Sequence, residues 1–369
     1  MQRSPPAEAS KLRVVMITQV LDFQDDLLGA IVGWCRELSR RVGRLDVIAL
    51  RAGEYDLPAT SIVTVVGTRS GAGRLARFAR LQRALGASFA RGVDVVFAHM
   101  CPEYALAAAP QAFLRGVPIV LWFVHRRVSP LLRASRYVAA RIVTASLDSC
   151  RLPAAAPLAI GHGIDTEFFA PGRVASDGPV RVLAVGRVAP VKEYDVLVDA
   201  LQCRSRNATA GPPLHVRIAG RIETPEEKSC HAALKARLCE LGLSGTVEFL
   251  GPVPYAKMPA LMRESHLFLN LTRAGSFDKS AMEAMSCGLP TITPNSAFFE
   301  GEPELDAALV VAYRDPNSLA QRLSDVAALD SAQLEVMRAR LRSLALRRFS
   351  TSVLASRLAQ IFLEVVQRR

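Results

Sequence analysis

The densest set of residues able to do chemistry begins where a short apolar run, 180–185, gives way to Gly186-Arg187-Val188-Ala189-Pro190-Val191-Lys192, just ahead of the helical run 194–201. Glycine permits close backbone approach, the Arg187 guanidinium offers a planar fork of donors to phosphate oxygens, and Lys192 adds a compact cation near a positive helix N-terminus. This combination reads as a clamp for a pyrophosphate, with an ordinary strand-to-helix turn as the simpler alternative. It is neither the GxGxxG of dinucleotide binders nor a GxxxxGK[ST] loop, and neither motif occurs elsewhere in the chain. Further on, Ala274-Gly275-Ser276-Phe277-Asp278-Lys279 leads into a short helical run from Ser280, stopped by Gly288 and Pro290. Ser280 and Glu283 have the S-x-x-E spacing of a capping box, which taken alone makes Glu283 a cap partner rather than a ligand. In either role the helix offers free backbone N–H groups to phosphate or sugar oxygens. His99 and His125 each follow an apolar strand, where a surface or hydrogen-bonded structural role is the ordinary one and proton chemistry the functional one.

Such loops need strands to position them. Short apolar strands alternate with amphipathic helices throughout, the signature of parallel βαβ units. Strands are expected at 13–18, 45–50, 62–66, 93–98, 117–124 and 141–145. After a segment rich in Pro, Ala and Gly, 151–178, the alternation restarts at 180–185, 214–219, 247–250, 267–270, 291–293 and 309–312. Helices are expected at 28–40, burying Ile31, Trp34, Cys35 and Leu38, and at 316–328, 331–348 and 351–366. At 369 residues the chain exceeds what one core organises, so the fold class is α/β with two doubly wound, Rossmann-like domains. Facing each other, they direct the C-terminal ends of their strands toward an interdomain cleft.

Composition sets further bounds. Half the residues are apolar and 22% are charged, which excludes a largely disordered chain. The longest apolar stretches fall short of the roughly 20 residues a spanning helix requires, and no secretion signal is legible at the N-terminus. Seven cysteines, an odd number with no CxxC pair, favour reduced thiols over a disulfide framework or a zinc site, and no metal ligand cluster stands out. These features point to a cytoplasmic protein. The formal charge of +12 calls for an anionic partner, and residues 67–92 concentrate it with six arginines and no acid. Within it Leu75, Phe78, Gln82, Leu85 and Phe89 share one helical face, while Arg74, Arg77, Arg80 and Arg83 recur every third residue. The preferred reading is a core-packed helix with a solvated basic flank. The alternative is a helix, 74–89, resting on the anionic inner face of a membrane. Nucleic acid is excluded by the lack of interleaved aromatics or a recognition motif.

The ordered series Gly161-His162-Gly163-Ile164-Asp165 with Phe168 and Pro171, Val185-Gly186-Arg187 with Lys192 and Leu197, Ile218-Ala219-Gly220, Phe249-Leu250-Gly251 and Glu283-Ala284-Met285-Ser286-Cys287-Gly288-Leu289-Pro290 resembles the retaining glycosyltransferases of family 4, which have the GT-B fold. The resemblance implies a domain on the acceptor side at 1–172, a donor-binding domain at 173–348 and a C-terminal helix at 349–369 that packs back on the first. It implies a nucleoside diphosphate sugar, of UDP or GDP type, as co-substrate, no metal or other cofactor, and transfer with retention to a glycan, a lipid-linked or a small-molecule acceptor. Residue by residue, Arg187 and Lys192 would bind the diphosphate and stabilise the departing nucleotide. Glu283 would hydrogen-bond the ribose, and the backbone at Gly186, Gly220, Arg221, Gly251 and Val253 would line the diphosphate and base pockets. His125, in preference to His99, would lie near the donor sugar. Gly29 would approach the diphosphate, with Asp22, Asp25 or Asp26 facing the acceptor or forming a solvated loop. The chain departs from the family in one place. A first glutamate eight positions before Glu283 is replaced by Gly275, and the usual glycine-rich loop is Ser276-Phe277-Asp278-Lys279, so Asp278 or Lys279 is the candidate to contact the donor sugar. The competing readings are a non-catalytic relative that binds a nucleotide or a partner protein and a Rossmann oxidoreductase, the latter opposed by the missing GxGxxG.

Overall fold

A computed structural model describes residues 8–25, 28–67, 73–125, 127–152, 157–172, 178–206, 211–273 and 277–368. The chain divides into two compact units, one comprising Met1–Asp165 with Phe349–Arg369 and the other Thr166–Arg348.

The first unit contains β1 (Arg13–Leu21), α1 (Ala30–Ser39), β2 (Arg44–Ala52), β3 (Ile62–Val65), α2 (Arg74–Ala90), β4 (Val95–His99), α3 (Pro102–Leu114), β5 (Ile119–Trp122), α4 (Pro130–Ser135), β6 (Arg141–Thr144) and β7 (Leu158–Ala159). Its seven strands form one parallel sheet in the order β3-β2-β1-β4-β5-β6-β7. The order reverses between β1 and β4, the switch point of a doubly wound sheet. Because successive strand residues point to opposite faces, the apolar run of β1 serves two cores. Val14 and Met16 join Trp34, Leu38 and Phe97 on one face, while Val15 and Ile17 join Leu81, Leu85 and Leu121 on the other.

The second unit contains β8 (Val180–Val185), α5 (Tyr194–Ser205), β9 (Leu214–Ala219), α6 (Pro225–Glu240), β10 (Val247–Gly251), α7 (Met258–Arg263), β11 (Leu267–Leu269), α8 (Lys279–Ser286), β12 (Thr291–Ile292), α9 (Pro303–Leu309), α10 (Pro316–Ala327) and α11 (Ser331–Arg348). Its parallel sheet runs β10-β9-β8-β11-β12, with the switch point between β8 and β11. The last helix, α12 (Thr351–Gln367), belongs to the first unit. It starts at a Ser350 cap, packs along α1 and sets Phe362 against Phe97 with ring centroids 5.4 Å apart.

Three expectations are corrected. Residues 309–312 are not a strand: α9 runs through Leu309, and Val310 makes a single parallel bridge to Thr293. Leu309 and Val311 are nonetheless buried, so the apolar pattern reports burial there without a ladder. The 117–124 run keeps only four residues as β5, which places His125 beyond the strand end. In α2 the core-facing residues are Leu81, Ala84, Leu85 and Phe89, whereas Leu75 is 85% and Phe78 50% exposed. The buried stripe covers only the C-terminal part of this helix, which packs against β2 and α3; residues 75–79 are all exposed.

Phe362 is fully buried among residues of α1, β1 and β4. Phe362→Ala should therefore cost about 3–5 kcal/mol of first-unit stability, read as a lowered urea midpoint.

Candidate functional site

At the C-terminal edge of the second sheet, three glycines stand in a row. Gly186 follows β8, Gly220 follows β9 and Gly251 ends β10. Gly186 N–H donates to Ala219 O at 2.9 Å and Gly220 N–H to Gly251 O at 2.8 Å. A Cβ on residue 220 would lie 1.9 Å from the Gly186 carbonyl oxygen, and one on residue 186 would lie 2.3 Å from Lys192 Cε. Gly186 and Gly251 have φ of 145° and 70°, backbone that favours glycine. The row is thus backbone brought close without side chains, with the Lys192 stem lying across Gly186.

The sequence-derived cations each meet a carboxylate. Arg187, 65% exposed at its side chain, reaches Glu227 Oε1 at 3.3 Å. Glu227 belongs to a capping box at the start of α6: Thr224 accepts from Glu227 N–H, and Glu227 Oε2 accepts from Glu223 N–H at 2.8 Å and Thr224 N–H at 3.1 Å. Those backbone bonds, offset in part by burial and helped by Arg187, hold its carboxyl below the usual range. Lys192 forms an ion pair with Asp278. Arg221 lies 3.6 Å from Glu223 Oε1, and Val253 is half-buried.

Asp278 is the N-cap of α8, accepting from Ser280 N–H and hydroxyl through Oδ1 and from Asn270 Nδ2 at 2.8 Å through Oδ2. Burial opposes its charge, but Lys192, Ser280 and Asn270 outweigh that and keep the carboxyl below its ordinary value. The capping box expected at Ser280 and Glu283 is therefore corrected: the cap lies two residues earlier, at Asp278. Glu283 instead turns inward, 3% exposed. Its Oε1 accepts no well-aligned hydrogen bond, with Lys279 Nζ 3.5 Å away. Burial pushes its carboxyl up to about 7, with Lys279 opposing and Asp278 reinforcing the rise. Lys279 also sits 4.8 Å from the Tyr255 ring centroid, and Phe277 packs edge-on against Phe298. Gly275 and Ser276 lie outside the described residues, as does Asp26.

Sequence reasoning missed three participants. Asn270, at the end of β11, is 4% exposed and leaves its Oδ1 without a hydrogen bond among the described residues. Glu227 carried a legible signal, the T-x-x-E spacing after Arg221. Glu193, at φ 52° between Lys192 and α5, accepts from Tyr313 OH at 2.6 Å and pairs with Arg314, an arrangement no local pattern announces.

In the first unit, His99 is buried at the end of β4, its Nδ1 3.2 Å from Thr18 Oγ1. Burial, then the nearby His162, push it down to about 3, so it is a neutral packed residue. His125 is exposed, with Nδ1 accepting from Arg127 N–H at 3.0 Å. Gly29 precedes α1, its N–H donating to Asp25 O at 3.0 Å. Asp25 also pairs with Arg51, and Asp22 accepts from the backbone N–H groups of Gln24 and Glu54, so both aspartates shape the loop. Among the described residues, no group of three or more His, Cys, Asp and Glu is arranged to hold a metal ion.

Two doubly wound units, one carrying a glycine-lined strand edge beside a capped helix N-terminus, define the GT-B class of fold. Solved structures share it: a glycosyltransferase from Rickettsia africae superimposes with a TM-score of 0.71 over 97% of this chain and 100% of that one, at 11% identity, and Anabaena HepE, in complex with UDP and glucose, with a TM-score of 0.67 over 95% of this chain and 100% of that one, at 17% identity. Residues 179–328 match the model of the glycosyl transferases group 1 family, so the second unit is similar to that family over this segment. Mannosylfructose-phosphate synthase of Agrobacterium fabrum is 34% identical over 120 residues, 32% of this chain and 26% of that protein. D-inositol 3-phosphate glycosyltransferase of Frankia alni is 29% identical over 184 residues, 44% of this chain and 42% of that protein. The chain thus spans less than half the length of these curated relatives.

The raised carboxyl of Glu283 has a definite pH consequence. A carboxyl whose folded value exceeds its unfolded one favours folding fully below the ordinary value of 4.5 and loses that contribution as pH rises through about 7. Glu283→Gln removes the charge, so its stability relative to the wild type should rise between pH 5 and pH 8 by on the order of 3 kcal/mol, measured by denaturant titration at both values.

Proposed function

We propose that this protein transfers a sugar from a nucleoside diphosphate sugar to an acceptor hydroxyl, with retention at the anomeric carbon. The observation that carries the reading is the buried Glu283 carboxyl, free of a well-aligned hydrogen bond at Oε1, on the helix whose N-cap, Asp278, holds the Lys192 ammonium that lies across Gly186. A buried polar atom left unsatisfied is costly and marks where a ligand hydroxyl completes the bonding. Glu283 accepts from the ribose, Arg187 and Lys192 neutralise the diphosphate without a metal, and backbone at Gly220–Arg221 and Gly251–Val253 receives the base. The departing nucleotide gains charge in the transition state, which these cations stabilise. His125 and Gly29 keep, within this proposal, the roles toward donor sugar and diphosphate that the resemblance gives them, as do Phe277 and Lys279 toward the donor. The UDP and glucose held by HepE support a nucleotide-sugar donor.

A thermal-shift panel of UDP-, GDP- and ADP-sugars tests the donor. At least one should stabilise the wild type, and Arg187→Ala should weaken its binding by about 1.5–3 kcal/mol, the loss of a charge-assisted contact. No stabilisation by any donor, or an equal response of the variant, rejects the site. The Lys192–Asp278 pair favours a second reading, a nucleotide-binding protein without transferase activity; measurable hydrolysis of a nucleotide sugar by the wild type excludes it.

The partner proposed for α2 is an anionic membrane. Leu75 and Phe78 are exposed among Arg77, Arg80 and Arg83, and residues 67–92 contain no acid. No helix among the described residues is long and apolar enough to cross a bilayer, so this contact is interfacial. Co-sedimentation with phosphatidylglycerol vesicles should exceed that with phosphatidylcholine vesicles, fall with salt and drop in Leu75→Ala/Phe78→Ala. Equal sedimentation with both lipids overturns it.

A further inference from the structure

The donors gathered at the switch point of the second sheet already hold an anion, and it belongs to the chain itself. Asp278 takes the Lys192 ammonium, the Asn270 amide, and the N–H and hydroxyl of Ser280 in the first turn of α8. A lysine, a side-chain amide and helix N-terminal donors are also the groups that hold a phosphate. The neighbouring cations are matched as well: Arg187 with Glu227 and Lys279 with Glu283. Each of these three cations therefore faces one carboxylate of the chain itself.

Capping alone does not account for Asp278. Asparagine or serine caps a helix about as well, and neither needs an ammonium partner. Nor is the Lys192 pair incidental to the fold, since the Lys192 stem is held over Gly186, where a Cβ would stand 2.3 Å from Lys192 Cε.

We propose that Asp278 is a built-in competitor for the phosphate subsite: a nucleoside diphosphate binds by displacing its carboxylate from Lys192 and Ser280, and the returning carboxylate helps expel the nucleotide product. The inference rests on the donor-nucleotide reading above. It makes affinity specific in a testable way, because only ligands that carry the phosphates meet the competition, while a nucleoside does not.

Isothermal titration of the 369-residue chain with UDP, GDP and ADP, and with the corresponding nucleosides, decides it. Asp278→Asn keeps a cap and removes the charge, so the preferred diphosphate should bind about tenfold tighter or more, with the nucleoside unchanged. In the Lys192→Gln background the same change should give a clearly smaller gain, the difference being the share of the competition carried by the Lys192 contact and the remainder that carried at Ser280. Asp278→Ser, a second capping replacement, serves if the asparagine variant fails to fold. Equal or weaker diphosphate binding by either folded variant overturns the competitor role and makes Asp278 a residue that positions Lys192. If the wild type binds a diphosphate and Arg187→Ala weakens it, that result leaves the donor site standing. If no folded form binds any diphosphate, both inferences fall.

Discussion

At the ends of β8 and β9 the Gly186 carbonyl oxygen stands 1.9 Å from where a Cβ on residue 220 would be. The rest of the site follows from this closeness. Two strand ends without side chains leave a floor of backbone, and Gly186, at φ 145°, leaves the space that the Lys192 stem crosses. Lys192 is thereby held at the switch point, where the loop after β11 brings Asp278. A side chain at either glycine would push the loops apart and unseat the lysine, so backbone sterics position the charge.

The charges so positioned are not arranged for stability. Glu283 is buried with its carboxyl pushed up to about 7. Burying a carboxylate without full hydrogen bonding is costly, and Lys279 at 3.5 Å offsets it only in part. Asp278 shows the opposite balance, with enough donors to stay ionised despite burial. Two carboxylates on one short helix are thus set apart by their partners. Perturbed groups of this kind concentrate where a ligand completes the bonding.

In the first unit the Gly161–Asp165 motif does structural work within the described residues. Trp34 Nε1 donates to Gly163 O at 3.0 Å, and Ile164 pairs with the chain entering α12, through Ile164 N–H to Phe349 O at 2.7 Å and Thr351 N–H to Ile164 O at 2.8 Å. A Cβ on residue 163 would meet Leu354 Cδ2 at 2.7 Å. Trp34 also stands edge-on to Trp122, His99 and His162, so α1, the sheet and the Gly161–Asp165 segment share one aromatic junction. Part of what marks the sequence as a glycosyltransferase relative is thus packing rather than chemistry.

The sequence alone determined the alternation of strands and helices, the doubly wound class and the identity of Arg187, Lys192 and Glu283 as the residues to watch. Those features are local: apolar periodicity follows from the pleat and the helical turn, and glycine at a strand end follows from backbone sterics. What faces what was not local. Whether Leu75 and Phe78 were buried depended on how far neighbouring elements extend along α2, which periodicity does not encode. Asp278 was legible as a departure in a loop, but its capture of Lys192, 86 positions away in the chain, arises only when β8 and β11 lie side by side. Likewise Glu283 read as a cap because its spacing from Ser280 fitted one, and only the folded helix, capped by Asp278, turned it into the interior. Tertiary structure decided the partners because an electrostatic contact depends on distance in space, which spacing along the chain does not supply.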